Sequence, residues 1–268
     1  MTGVQTCALP ILKVWEFLNN FIIKYDATVF SAAEFSQKLP VRQFMISPSI
    51  DPLSDKNKEL SPSQIDEVLN KYGIDKEKPM VVQISRFDYL KDPVGVIEAF
   101  EMVRKGIDCQ LILAGGTATD DPESAKVLDE VQDRASGNPD IKILLLPPGS
   151  DIEVNALQRA ATVIFQKSLK EGFGLTISEA LWKEKPVVAS DVGGIPLQVK
   201  NKFTGMLCHS IDGAAYALKQ LLCNAEFATW LGKNGREHVR QNFLITRHLK
   251  EYMLLFISLN HTSDIIYL

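Results

Sequence analysis

Hydrophobic residues occur along this chain in short, nearly unbroken runs that alternate with segments of helical periodicity. Six runs stand out: MVVQIS (80–85), CQLILAG (109–115), IKILLL (141–146), ATVIFQ (161–166), PVVAS (186–190) and the weaker GMLC (205–208). Runs of this kind are typical of strands that are buried on both faces of a parallel sheet. The segment 92–105, between the first two runs, has its apolar residues on one helical face. The alternation predicts a doubly wound α/β domain.

The flanking sequence predicts a chain of several parts. The start, MTGVQTCALPI, lacks the basic and apolar regions of a signal peptide, so we interpret it as a non-native scar and the chain as a fragment. Three amphipathic helical segments are expected between Asp212 and about Ser258. The expected divisions are 1–11 (scar), 12–47 (end of a preceding α/β lobe, with strands at 27–31 and 41–47), 48–63 (Pro- and Ser-rich linker or hinge), 64–243 (main lobe), 244–260 (C-terminal helix) and 261–268 (unassigned tail).

Composition and charge exclude several classes of function. The 268 residues are 46% hydrophobic and 23% charged, with a net charge of −4 and no long basic run. A nucleic-acid or anionic-membrane surface is therefore disfavoured, and no stretch is long and apolar enough to span a bilayer. The four cysteines (Cys7, Cys109, Cys208 and Cys223) show no paired metal spacing. Such scattered cysteines favour a reduced, cytoplasmic protein.

Candidate chemistry follows the strands, because ligands of open parallel sheets bind at the carboxyl ends of the strands. The loop RFDYLKD places Arg86 and Lys91 just before a helix, where two cations and free N–H groups suit a diphosphate. The stretch KEGFGLTISEALW (170–182) places Glu171 before a helix and Glu179 about one turn inside it. Carboxylates accept hydrogen bonds from vicinal hydroxyls. Glycines in the same loop allow a ligand to lie close to the backbone.

Each of these features also has a plain structural interpretation. Alone, Arg86 and Lys91 are more typical of a solvated surface turn, and glycines of a tight turn. Two further glycine loops, AGGTATDD (114–121) and SDVGGIP (190–196), follow other strands at the same edge, and four such loops together favour a ligand site. No nucleotide-binding P-loop, G-x-G-x-x-G fingerprint or D-x-D metal pair is present. The four histidines are spaced singly and indicate surface or packing roles.

The order of SRFDYLKD, LILAGG, EGFGLTISEALW and ASDVGGIP resembles the nucleotide-sugar lobe of retaining glycosyltransferases with the two-lobed GT-B fold. The family is the fourth in the usual classification and includes sucrose-phosphate and glycogen synthase relatives. The resemblance covers about residues 27–258. Within the family, AGGTATDDPES, LLPPGSDIEVNALQRAA and NFLITRHLKEY are similar to trehalose synthases that join glucose from a nucleotide donor to free glucose.

The resemblance implies a role for each matching position. Arg86 and Lys91 would bind the diphosphate and offset its charge without a metal, and Glu171 would bind the donor sugar; these three are the implied catalytic residues. Glu179 would bind the ribose. The implied nucleotide-sugar site consists of Arg86, Lys91, Leu146, Pro147, Pro148, Glu171, Gly172, Phe173, Gly174, Leu175 and Glu179. Leu197 and Gln198 stand where the family often has a glutamate, so no role is assigned there.

The implied partners are UDP- or ADP-glucose as donor and glucose as acceptor. No cofactor, metal, nucleic acid or membrane is implied, and a homodimer is left open. Most of the acceptor-binding N-terminal lobe has no counterpart in this sequence, so we expect the chain alone to be inactive. Three alternatives remain: another acceptor, as in sucrose-phosphate or glycogen synthases; a nucleotide-sugar-binding module without catalysis; or a sugar-nucleotide epimerase of similar architecture.

Overall fold

The computed structural model of the protein describes residues 8–116 and 122–261. The chain forms two compact units. Of the described residues, 8–48 and 248–261 belong to the smaller unit and the remainder to the larger unit, Ser49–Arg247. None of the helices in these described ranges is long and apolar enough to cross a membrane.

The smaller unit contains the two strands that the sequence predicts near the start of the chain. Helix α1 (Ala8–Ile22) precedes β1 (Ala27–Phe30), which pairs in parallel with β2 (Arg42–Met45). Most of the last helix, Ile245–Asn260, also belongs to this unit. Several large apolar side chains of that helix are exposed, among them Leu249, Met253, Phe256 and Ile257.

The larger unit contains a six-stranded parallel sheet, and each strand falls on one of the six predicted runs. The strands are β3 (Met80–Ile84), β4 (Gln110–Gly115), β5 (Ile141–Leu145), β6 (Val163–Gln166), β7 (Val187–Ser190) and β8 (Met206–Cys208). Their order across the sheet is β5-β4-β3-β6-β7-β8, and all pairs are parallel. The order reverses between β3 and β6, as in a doubly wound sheet.

Helices cover both faces of this sheet. They are α2 (Pro62–Lys71), α3 (Pro93–Arg104), α4 (Pro122–Ala135), α5 (Asp151–Ala160), α6 (Leu175–Trp182), α7 (Ile195–Gln198), α8 (Ile211–Cys223) and α9 (Ala225–Asn242). Successive strand residues point to opposite faces. Val81 lies in one apolar cluster with Phe100 and Leu218, whereas Val82 lies in another with Leu157. Burial on both faces explains why the strands lack polar alternation.

The Pro- and Ser-rich segment 48–63, expected to be a linker or hinge, contains the chain boundary between the two units and is hydrogen-bonded to the larger one. From residue 49 onward it belongs to the larger unit. Asn155 of α5 donates to the carbonyls of Asp55 and Lys58, both at 2.8 Å, and Arg159 donates to the Lys58 carbonyl at 2.9 Å. Ser61 then begins α2 with a reciprocal capping box. The segment is thus attached to α5 by buried polar side chains, which its composition does not reveal.

Candidate functional site

The loops after β3 and β6 lie side by side, although they are about eighty residues apart in the chain. The reversal of strand order makes these strands neighbours, and a crevice forms where their following loops diverge. The Leu169 N–H donates to the Leu90 carbonyl at 2.8 Å and joins the two loops. The topology therefore brings the RFDYLKD and KEGFGL segments to one place.

Lys91 and Glu171 form an ion pair between these loops. The Lys91 Nζ lies 2.6 Å from Glu171 Oε2, and the two side chains are only 19% and 14% exposed. Ser168 Oγ donates to the same carboxylate oxygen at 3.3 Å, while Gln83 donates to the Lys91 carbonyl at 2.9 Å. A cation and an acceptor so close together suit a ligand that carries an anionic group beside hydroxyls.

A second ion pair, not predicted from the sequence, joins the same two loops. Lys167 Nζ contacts Asp92 Oδ2, and both side chains are largely buried. Asp92 has a φ of 46° and its side chain accepts from the Gly95 N–H at 3.1 Å, which caps the start of α3. This pair fixes the end of the loop that carries Lys91.

A pocket of about 620 Å³ opens at the carboxyl ends of β3, β4 and β5. Its volume is in the range of small-molecule sites. Four predicted site residues line it: Arg86, Leu146, Pro147 and Pro148. Arg86 is 64% exposed on its side chain and lies 3.1 Å from Asp88. The other lining residues are Lys56, Ile84, Ser85, Gly115, Gly116, Leu145, Gly149, Ser150, Asp151, Val154 and Thr176.

The AGGTATDD loop and the loop around Glu171 complete the predicted edge of the sheet. Residues 117–121 of the AGGTATDD loop lie outside the described residues, although Gly115 and Gly116 line the pocket. The residues around Glu171 form the adjoining loop, in which Gly172 and Leu175 are exposed. Phe173 is buried and packs edge-on against Phe243, with ring centroids 5.5 Å apart.

Glu179 is a buried carboxylate rather than an exposed helix residue. Its side chain lies in the second turn of α6, and the residue is 5% exposed. Thr176, one turn earlier on the same helix face, lines the pocket. Burial raises the pKa of the Glu179 carboxyl above its usual range, and the positive charges of Lys56 and Lys183 oppose that shift. Glu179 Oε2 has no hydrogen-bond partner among the residues that the structure describes, so an acceptor is available for a ligand hydroxyl.

The glycine pair of SDVGGIP supports the Glu171 loop and does not line the large pocket. Gly193 has a φ of +57°, and a Cβ added there would lie 1.7 Å from the Glu171 carbonyl oxygen. The Gly194 N–H donates to the Gly172 carbonyl at 3.0 Å. Gly174 itself has a φ of +83° where α6 begins. The sequence predicts close backbone approach at Gly193, and the structure shows that the approaching group is protein backbone.

Gln198 is a supporting residue to which sequence reasoning assigned no role. It is fully buried, donates to the Phe173 carbonyl and accepts from Ser178 Oγ at 2.6 Å. A polar residue just after GGIP was the available signal, yet its contacts depend on how α7 packs beside the Glu171 loop. A buried amide that is satisfied on both ends fixes the loop in one conformation.

Within the described residues, no three His, Cys, Asp or Glu side chains lie close enough together to hold a metal ion. His209 lies 3.7 Å from Asp191, but its side chain is 76% exposed.

Comparison with known proteins gives one family and one fold. Residues 64–238 match the family described as "Glycosyl transferases group 1". Trehalose synthase from Rubrobacter xylanophilus is 44% identical over an alignment of 255 residues, and the match covers 93% of this chain and 61% of that protein. The chain thus spans about three fifths of the length of that relative.

Two solved structures show the same fold at low identity. Sucrose-phosphate synthase from Thermosynechococcus elongatus gives a TM-score of 0.75 at 21% identity and covers 91% of this chain and 61% of its own. Anabaena HepE in complex with UDP-glucose gives 0.75 at 18% identity and covers 91% of this chain and 67% of its own. The predicted α/β lobe of GT-B type and the resemblance to trehalose synthases are confirmed.

Proposed function

Since the chain belongs to the glycosyl transferases group 1 family, we propose that it provides the donor-binding part of a retaining trehalose-forming glycosyltransferase. The reaction transfers glucose from UDP- or ADP-glucose to free glucose. The Rubrobacter relative is called a trehalose synthase, and the Anabaena structure of the same fold contains UDP-glucose. Both support the proposal.

One observation carries the proposal: a mainly apolar pocket adjoins a cation–carboxylate pair at the switch point of the sheet. The pocket wall at Leu146, Pro147 and Pro148 suits a flat base. The pair of Lys91 and Glu171 lies in the two loops that meet at the same sheet edge. In this proposal the apolar wall binds the base, the cations bind the diphosphate and the Glu171 carboxylate binds the sugar of one ligand.

The residues then have separate tasks. Arg86 and Lys91 bind the diphosphate and stabilise the negative charge that develops as it leaves. Glu171 accepts hydrogen bonds from the sugar hydroxyls, and Lys91 beside it keeps that carboxylate charge compensated. The free oxygen of Glu179 accepts from the ribose hydroxyls. No metal or cofactor takes part in this proposal.

Calorimetry with UDP, ADP and their glucose derivatives tests the donor site on the chain itself. Glu179→Gln should lower the affinity for the free nucleotide and for the nucleotide sugar alike, because both contain ribose. Glu171→Gln should lower only the affinity for the nucleotide sugar. Equal losses of free-nucleotide affinity in both variants would show that the division of tasks is wrong.

The acceptor is tested with a hybrid enzyme. In the Rubrobacter relative, the 255 matching residues are replaced by those of this chain. The hybrid is incubated with UDP-glucose or ADP-glucose and either glucose or fructose 6-phosphate, and its products are identified. We expect trehalose from glucose. Sucrose phosphate as the main product would favour the alternative acceptor, and donor binding without any product would favour a binding module.

A further inference from the structure

Lys183 is a buried lysine directly after α6, outside the predicted site. The residue is 7% exposed. Its Nζ donates to Asn57 Oδ1 at 3.0 Å, to Gln158 Oε1 at 2.8 Å and to the Glu179 carbonyl at 3.2 Å. An ammonium has three donors, so every proton has an acceptor, and each acceptor is neutral.

These three contacts connect the parts that surround Glu179. Asn57 belongs to the segment before α2, Gln158 to α5 and Glu179 to α6. The segment before α2 and α5 also contribute Lys56 and Asp151 to the wall of the large pocket. Lys183 therefore holds together, from the buried side, the elements that form the wall beside Glu179.

Lys183 and Glu179 influence each other's pKa through their opposite charges. Burial lowers the pKa of Lys183 to about 7, and the nearby carboxylate of Glu179 opposes that shift. In turn, Lys183 opposes the rise in the Glu179 pKa that burial causes. The charged groups that face Lys183 are Glu179 on α6, Arg159 on α5, and Glu59 and Lys56 in the segment before α2.

We propose that Lys183 is a positioning residue for ribose recognition. Its ammonium joins the Glu179 carbonyl on α6 to α5 and to the segment before α2, and its positive charge favours the ionised form of the Glu179 carboxyl. The unpartnered Oε2 of Glu179 can then accept from a ligand hydroxyl. This inference rests on the assignment of Glu179 to ribose in the proposed function.

The loss of the Lys183 proton gives the expected pH dependence its sign. Below the Lys183 pKa of about 7 the ammonium is present, and its charge opposes the rise in the Glu179 pKa that burial causes. As pH rises through that value, Lys183 loses one proton, its charge and one donor. Preference for a ligand with ribose hydroxyls should then decrease. A lysine that only holds the helix in place would affect nucleotides with and without these hydroxyls equally.

The test compares UDP with 2′,3′-dideoxy-UDP by calorimetry, or the ADP pair if ADP binds more tightly. Affinity ratios are measured at about pH 6.5 and about pH 8.5, on either side of the Lys183 pKa of about 7. We expect wild type to prefer the ribonucleotide by about tenfold at the lower pH, or ~1.4 kcal/mol, and less at the higher. Lys183→Met should give a small ratio that does not change with pH. Lys185→Met, a matched lysine two residues away, should behave like wild type.

Two further variants separate the possible failures. If Glu179→Gln keeps the preference, the ribose assignment itself is wrong. If Glu179→Gln loses the preference but Lys183→Met keeps the wild-type ratio and pH profile, only the role of Lys183 is overturned. Should Lys183→Met not fold, Asn57→Asp keeps the ammonium and places a carboxylate beside it. The loss of preference should then move to higher pH, and an unchanged profile would overturn the proposal.

Discussion

Substitution of Gly193 by alanine should displace the loop that carries Glu171. The added Cβ would lie 1.7 Å from the Glu171 carbonyl oxygen, whereas real Cβ contacts are essentially never under 3.0 Å. The carbonyl must therefore move by at least about 1.3 Å. The positive φ of Gly193 adds about 1–2 kcal/mol for a residue with a Cβ. Displacement on this scale would separate Glu171 from Lys91, because their present contact is 2.6 Å.

The measurement has two parts, urea denaturation and calorimetry with nucleotide and nucleotide sugar. We expect Gly193→Ala to lower the free energy of unfolding by at least about 1–2 kcal/mol. It should also remove most of the affinity that the sugar adds to the free nucleotide. Gly106→Ala is the matched control outside the proposed site, since a Cβ there would meet no atom of the described residues within 4 Å.

Two combinations of results would contradict this prediction. If Gly193→Ala has the stability of Gly106→Ala and the same gain in affinity from the sugar, the loop is not held at this contact. If Gly193→Ala loses stability but keeps the gain in affinity from the sugar, the strain at Gly193 is confirmed. The position of Glu171 then does not matter for sugar binding.

Three other outcomes follow from named contacts. Arg86→Ala should weaken UDP or ADP binding by about tenfold or more, from the loss of a charge-assisted contact of about 1.5–3 kcal/mol; wild-type affinity by calorimetry would exclude a diphosphate contact. Gln198→Leu should cost about 1–3 kcal/mol in denaturation, because it leaves a buried carbonyl and a buried hydroxyl without their partner. Asp140→Asn should lower stability near neutral pH, because hydrogen bonds from Lys78 and then Arg104 hold the Asp140 pKa below its usual range. That stability is present above the unfolded pKa of about 3.9 and disappears as pH falls through the lower folded value, so variant and wild type should converge in acid. Asp108 also pairs with Lys78, but its side chain is 75% exposed, so Asp108→Asn should lower the stability less than Asp140→Asn does.

The strands of the large sheet could be predicted from the pattern of hydrophobic residues alone. All six runs between residues 80 and 208 became parallel strands, and the predicted face of α3 is buried. Runs such as MVVQIS and CQLILAG have no polar alternation, so only burial on both faces is compatible with them. The two cations at Arg86 and Lys91 and the carboxylate at Glu171 were also placed correctly at one edge of the sheet. Their roles in binding and catalysis stay predictions.

Tertiary structure decided which atoms meet. The contact between Lys91 and Glu171 follows from the adjacency of β3 and β6, which no local pattern contains. The segment 48–63 reads as a linker by composition, but side chains of α5 bind its carbonyls. Glu179 became a buried carboxylate beside Lys183 in the same way, because α5, α6 and that segment pack together. Local sequence determined the strands and helices through periodicity and burial. The pairing of charges and the burial of polar groups depend on contacts between distant residues, and so only the folded chain determined them.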